Sequence, residues 1–259
     1  MEVIIENVEK AETFVQIFQN MKSLTTSVSI IVKEEQMYMQ GMDSNHVSMF
    51  ELVLMSSWFD SYKIEKDLIL GISLPIFAKI LGTHKPSQKI ILTLANEDNL
   101  DISFISEDKE FNKDFRMPLL ELDSDLLNIT DFDFDLEFVM ESKKLKSTVD
   151  EMIIFGDNVN IDFKEDRIIM NVQNEATGSM NTYIHIDDLD ECIISDDDDV
   201  SCSFNIKYMQ YMSNYFKVAK TVQLKFSKTS PMMCKYLLDQ GDENNYIRFY
   251  LAPKIKDED

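Results

Sequence analysis

Val28-Ser-Ile-Ile-Val-Lys-Glu-Glu-Gln-Met-Tyr-Met39 and Val159-Asn-Ile-Asp-Phe-Lys-Glu-Asp-Arg-Ile-Ile-Met170 lie 131 residues apart in one chain of 259. At that offset Val28/Val159, Ile30/Ile161, Lys33/Lys164, Glu34/Glu165 and Met39/Met170 are identical. Each segment alternates apolar and polar residues, breaks at a charged Lys-Glu turn and resumes, the pattern of a β-hairpin with one buried face. A helical spacing precedes each hairpin: Phe14, Ile17, Phe18 and Met21 in the first copy, Leu145, Val149, Met152 and Ile153 in the second. A second echo follows. Leu74, Phe77 and Ile80 form an apolar stripe after the strand Leu68–Ser73, and Ile206, Met209 and Met212 repeat it 132 residues later after Val200–Phe204. Two echoes in one order at nearly one spacing predict a duplication. The expected fold is α+β: two like domains, each with two helices on one face of β-sheets.

Between the copies, Leu119-Leu-Glu-Leu-Asp-Ser-Asp-Leu-Leu-Asn-Ile-Thr-Asp131 has no clear period and reads as an extended connector. Asp131-Phe-Asp-Phe-Asp-Leu-Glu-Phe138 then alternates strictly, which predicts a strand with one carboxylate and one aromatic face. The expected boundaries are a first domain at 1–118, a connecting loop at 119–135 and a second domain at 136–259.

The composition gives 25 Lys+Arg against 47 Asp+Glu, a formal net charge of −22. That argues against a protein coating nucleic acid with its whole surface. The acidity is unevenly spread. Residues 68–96, 142–149 and 200–238 contain no Asp or Glu, yet carry Lys79, Lys143, Lys144, Lys146, Lys207, Lys217 and Lys220. These windows hold three of the four predicted helices, and Lys22 ends the first. Snorkelling lysines on amphipathic helices would give the same pattern. A positive helical surface on an otherwise negative protein would instead attract phosphates without reading bases.

Enzymatic signatures are missing. There is no GxxxxGK[ST], GxGxxG, HExxH or Gly-x-Ser-x-Gly. Asp131-x-Asp133-x-Asp135 opens like a calcium loop, but Leu136 replaces the required glycine and Ser142 the bidentate Glu. Asp196–Asp199 suggests a two-metal nuclease, although a contiguous acidic run usually marks a solvated loop. His84 and His185 have no evident catalytic partner nearby in sequence. No catalytic residue, metal site or cofactor is expected. Cys192, Cys202 and Cys234 form no CxxC, which fits reduced thiols in a soluble intracellular protein. No apolar run approaches the roughly 18–20 residues that span a bilayer, so no membrane partner is expected.

Met42-Asp-Ser-Asn-His-Val-Ser48, Trp58-Phe-Asp-Ser-Tyr62 and Phe249-Tyr-Leu-Ala-Pro-Lys-Ile-Lys-Asp-Glu-Asp259 resemble the proliferating cell nuclear antigen family, the sliding clamps of eukaryotes and archaea. The resemblance runs end to end. It implies a ring-shaped homotrimer around duplex DNA, helices lining the hole and sheets outside, tethering enzymes as a processivity factor. It also implies a pocket for partners' short Gln-containing motif. By position that pocket takes Met42, His46, Val47 and Met49, Leu127 and Ile129 of the connector, Pro231, and Tyr250, Leu251, Ala252, Pro253, Lys254 and Ile255. The implied partners are DNA polymerase, clamp loader, and flap endonuclease and ligase types. The implied location is the nucleus, or a replication site if the source is a large DNA virus. Val15 and Gln16 stand where the family carries paired lysines. An acidic scaffold that never touches DNA, and a nuclease using Asp196–Asp199, are the alternatives from other classes. Residues about 109–118 of one subunit are expected to pair with about 176–186 of the next, because closing a ring removes both free sheet edges.

Overall fold

The computed structural model describes residues 1–106, 111–122, 126–130, 132–164, 166–195, 200–239 and 241–254. The chain forms two compact units. One comprises Met1–Ser44, Glu51–Leu127 and Leu238–Ile247; the other comprises Asn45–Phe50, Asn128–Leu237 and the residues from Arg248. Each unit is therefore assembled from separate stretches of the sequence.

The first half of the chain runs β1 (Glu2–Ile5), α1 (Val8–Met21), β2 (Ser27–Val32), β3 (Gln36–Met42), β4 (Ser48–Met55), β5 (Ser61–Lys63), β6 (Leu68–Ser73), α2 (Leu74–Leu81), β7 (Gln88–Asn96), β8 (Asn99–Ser106) and β9 (Lys113–Pro118). The second repeats that order: β10 (Leu136–Glu141), α3 (Ser142–Met152), β11 (Asn158–Lys164), β12 (Arg167–Asn174), β13 (Gly178–His185), β14 (Glu191–Ile194), β15 (Val200–Asn205), α4 (Ile206–Ser213), β16 (Thr221–Phe226), β17 (Met232–Leu237) and β18 (Tyr246–Leu251). A short 3-10 turn stands between β4 and β5 (Ser56–Trp58), and another between β13 and β14 (Ile186–Asp188).

Register confirms the duplication residue by residue. In the β2–β3 hairpin Ile30 faces Met39, and in β11–β12 Ile161 faces Met170. These are the residues the echo had aligned. The strand runs match as well. β5-β1-β7-β8-β9 in the first half corresponds to β14-β10-β16-β17-β18 in the second, and β4-β3-β2-β6 corresponds to β13-β12-β11-β15.

The helices form where apolar spacing and caps agree. Asn7 accepts from Lys10 N at the start of α1, and Asn205 accepts from Lys207 N at the start of α4. Each helix buries one stripe: Phe14, Ile17, Phe18 and Met21 on α1, Leu145, Val149 and Met152 on α3, Ile206, Met209 and Met212 on α4. In the first unit Phe14, Phe18 and Phe77 are fully buried, with ring centroids 4.8 Å apart for Phe14–Phe18 and for Phe18–Phe77. Burying each such ring contributes about 1.5–3 kcal/mol. In the second, Tyr215 packs on Phe249 at 4.8 Å.

Three details differ from the sequence reading. On α2 the third buried stripe residue is Leu81, while Ile80 is half-exposed. An i+3 and an i+4 neighbour of Phe77 share one helical face, and packing selects the second. Helix α3 ends at Met152, so Ile153 is its C-cap. The strand expected from Asp131 begins only at Leu136. Asp135 just before it donates its N to Phe226 O and accepts from Ser195 N, both at 2.9 Å. Its side chain accepts from Lys228 N at 2.8 Å, and Phe132 packs against Tyr250 at 5.7 Å. Asp131 itself lies outside the described residues. All three cysteines are free thiols, and burial pushes Cys234 up to about 12.

Candidate DNA-facing and partner-binding surfaces

The cations differ in how far they are neutralised. Four on strands are paired: Lys63 with Glu2 at 2.8 Å, Lys89 with Glu6 at 3.2 Å, Arg116 with Asp101 at 2.7 Å and Lys225 with Glu137 at 2.6 Å. Asp101 is held below the usual carboxylate range by the hydrogen bond and charge of Arg116. By contrast Lys79 on α2, Lys143 and Lys144 on α3, Lys207 on α4, and Lys217 and Lys220 after it are exposed. Among the described residues none of these six forms an ion pair. Lys22, the C-cap of α1, reaches only Gln19 Oε1 at 3.2 Å.

Lys146 is the exception. Its ammonium bonds both oxygens of Asp150, one turn later, and Gln210 Nε2 donates to the same carboxylate at 3.1 Å. Burial alone would raise the Asp150 pKa, but the hydrogen bonds from Lys146 and Gln210 and the Lys146 charge outweigh it and hold it low. Lys146 thus offers less free charge than Lys143 or Lys144. Two of the six exposed lysines also lie over rings: Lys207 is 5.9 Å from the Tyr211 centroid and Lys217 is 5.8 Å from that of Phe216. Lys10 is withdrawn, its ammonium donating to Trp58 O at 2.8 Å.

Within the second unit several anticipated partner residues come together. His46 has a left-handed backbone, φ 56°, which few residues other than glycine adopt. That turn is braced on both sides. Asn45 Nδ2 donates to Tyr208 Oη at 3.0 Å, and Ala252 N donates to Val47 O at 3.0 Å. Lys254 N in turn donates to Ser203 O at 2.8 Å. The loop carrying His46 and Val47 is therefore hydrogen-bonded to the segment after Tyr250. His46, Ala252 and Lys254 are exposed, and Val47, Met49, Ile129, Pro231 and Pro253 are half-buried. Tyr250 is 9% exposed and Leu251 fully buried, so Leu251 can offer a partner only its backbone. Ile255 lies outside the described residues.

In the first unit, half-buried Met42 ends β3, and Leu127 is 45% exposed. The Gln40 carboxamide meets the Leu127 backbone twice, accepting from Leu127 N at 3.2 Å and donating to Leu127 O at 3.4 Å. Sequence reasoning singled out none of Gln40, Tyr208 and Phe132 for this site. Only Phe132 carried a signal, as part of the aromatic alternation before Leu136.

Asp196–Asp199 lie outside the described residues, and among those described no group of His, Cys, Asp and Glu could hold a metal ion. His84 Nε2 donates to Gln88 O at 2.6 Å and its ring meets Phe104 edge-on. It is a structural histidine. No helix among the described residues is long and apolar enough to cross a membrane.

The sheets end on β5 and β9, on β14 and β6, and on β13 and β15; among the described residues β9 pairs only with β8, and β13 only with β12. Phe111, just before β9, is 89% exposed, and Tyr183, on β13, is 54% exposed.

Comparison with known proteins follows the same duplication. Residues 4–126 match the family described as proliferating cell nuclear antigen, N-terminal domain, and residues 128–254 match its C-terminal domain. The chain is 28% identical over 250 residues to proliferating cell nuclear antigen of Caenorhabditis elegans, covering 94% of each chain. It is also 28% identical over 257 residues to proliferating cell nuclear antigen 2 of Plasmodium falciparum (isolate 3D7), covering 94% of this chain and 96% of that one. Both halves match in order, and the chain belongs to the proliferating cell nuclear antigen family, the sliding clamps that act in DNA replication as processivity factors.

Proposed function

We propose that three copies of this chain close head to tail into a ring around duplex DNA. The edge near residues 109–118, which includes β9, pairs with the edge of the next copy at 176–186, where β13 lies. Lys22, Lys79, Lys143, Lys144, Lys207, Lys217 and Lys220 meet phosphates from the helices, with Lys146 contributing less because Asp150 holds it. Contact is with the backbone, so binding carries no base preference. The ring works in the nucleus, or at a viral replication site, by tethering rather than by chemistry of its own.

Partners dock a short Gln-x-x-hydrophobic-x-x-aromatic motif against Met42, His46, Val47, Met49, Leu127, Ile129, Pro231 and the segment Tyr250–Ile255. DNA polymerase, clamp-loader, flap-endonuclease and ligase types are the expected carriers. The segment after Tyr250 would take the partner's chain as an added strand, and the apolar residues suit a one-turn plug.

The observation that carries the DNA reading is that Lys79, Lys143, Lys144, Lys207, Lys217 and Lys220 are exposed and form no ion pair among the described residues. A topological assay tests it. Labelled protein is loaded onto nicked circles, which are then linearised. Slow loss before cutting and rapid loss after it is the expected result. Equal retention on circles and linear DNA would mean ordinary surface binding and overturn the reading.

A further inference from the structure

We propose that Gln40 is a positioning residue for partner binding: its carboxamide fixes the connector so that Leu127 is presented to the incoming motif. The inference rests on the reading of Leu127 as part of the partner site.

The strand sets up the contact. In β3 the residues Met37 and Met39 are buried, so Gln36, Tyr38, Gln40 and Met42 share the other face. Gln40 therefore stands on the same face as Met42, one of the anticipated partner residues. The connector has no helix or sheet partner of its own at Leu127 to satisfy its backbone. The Gln40 side chain supplies both missing groups, with Oε1 accepting from Leu127 N at 3.2 Å and Nε2 donating to Leu127 O at 3.4 Å. A primary amide presents one donor and one acceptor side by side, as a neighbouring strand would. It thus stands in for a β-bridge at a single residue.

A second anchor lies upstream. Leu120 forms an isolated antiparallel bridge with Gly71, Leu120 N donating to Gly71 O at 2.8 Å. The connector is thus tied at Leu120 by backbone and at Leu127 by a side chain, the second tie being the weaker. Leu127 remains 45% exposed, so the bonds orient the residue without burying it. Ordering an apolar side chain before binding lowers the entropic cost of capture.

The test uses the full chain and a synthetic Gln-x-x-hydrophobic-x-x-aromatic peptide. Gln40→Met keeps the length and removes both bonds. Peptide affinity should fall about three- to tenfold, as expected for two partly exposed neutral hydrogen bonds. The amide of Leu127 should exchange faster with solvent, while thermal midpoint and oligomer mass stay unchanged. A double-mutant cycle gives the decisive arm. If Gln40 acts by presenting Leu127, Gln40→Met should cost little further affinity in a Leu127→Ala background. Wild-type affinity for Gln40→Met, or fully additive losses in the cycle, would overturn the proposal. Ile129→Ala separates the two layers. If it weakens binding while Gln40→Met does not, only the role of Gln40 falls; if neither Ile129→Ala nor Leu127→Ala has any effect, the partner site itself falls.

Discussion

β9 and β18 occupy the same place in the two copies of a duplicated order, yet they live in different surroundings. Four of the six residues of β18 are buried, but only one of the six in β9. The same holds for β4 and β13: six of eight residues are buried in the first and none in the second. Counterpart strands with this composition should not differ so much, because β13 carries Met180, Tyr183 and Ile184, residues that pack well in sheets. The difference fits the proposal that β9 of one copy pairs with β13 of the next, a completion that would cover both of these edges.

The largest effect should come from spoiling that completion. Phe111→Asp with Tyr183→Asp alters two side chains that are exposed in the single chain, so each unit should fold as before. Light scattering should then report one-chain particles at micromolar concentration where the unaltered protein gives three-chain particles. Persistence of the larger particle in the double variant would show that neither edge is the contact.

A second comparison is internal to the sheets. Gly71 on β6 and Ser203 on β15 are counterparts 132 residues apart, and each carbonyl accepts a hydrogen bond from a crossing segment. Leu120 N crosses at Gly71 and Lys254 N at Ser203, both at 2.8 Å. At Gly71 the crossing is so close that a Cβ would lie 2.1 Å from Leu120 O, a backbone atom that cannot swing aside. The connector is held where only glycine fits, whereas the tail crosses a residue with a side chain. Gly71→Ser should cost about 1–3 kcal/mol through forced displacement of the connector. Ser203→Gly should cost only about 0.5–1 kcal/mol, from added freedom in the unfolded chain. Urea unfolding of the two variants, fitted with allowance for two units, measures the asymmetry; equal costs would mean the crossings are equivalent.

This pattern also explains what could be read from sequence. The duplication was legible because hairpin residues facing one another, Ile30 with Met39 and Ile161 with Met170, recur as identical pairs. The lysine-bearing helices were legible because an absence of carboxylates is a local property. The MDS-x-HV and LAPKI segments brought in the partner site by resemblance, without its geometry. Gln40 left no trace, since a carboxamide that bonds a backbone 87 residues away requires nothing of the sequence at Leu127. Asn45 with Tyr208 is hidden for the same reason. Long-range side-chain bonds have no period, and periodicity was the main signal.

The smallest effect concerns a position where the copies diverge chemically. His84 follows α2, and the residue 132 positions later is Phe216, which cannot titrate. Burial lowers the His84 pKa and the Lys113 charge lowers it further, against the opposing pull of the Gln88 carbonyl and Glu12. The folded protein thus binds this proton less readily than the unfolded chain. Its contribution to stability is therefore fully present above the unfolded value of about 6.5 and is lost as pH falls through the lower folded value. Protonation also places a second positive charge near Lys113, whose ammonium already bonds Thr83 O. The first unit should consequently show a small decline in thermal midpoint on acidification that the second does not share from this source. His84→Phe, which copies the counterpart, should flatten that component. The neutral imidazole's bond to Gln88 O goes with it, so the variant should start slightly less stable at pH 8 and converge with the unaltered protein as pH falls. Calorimetric scans of both at pH 8, 6.5 and 5.5 would decide it: parallel curves would show that His84 contributes nothing to the acid response.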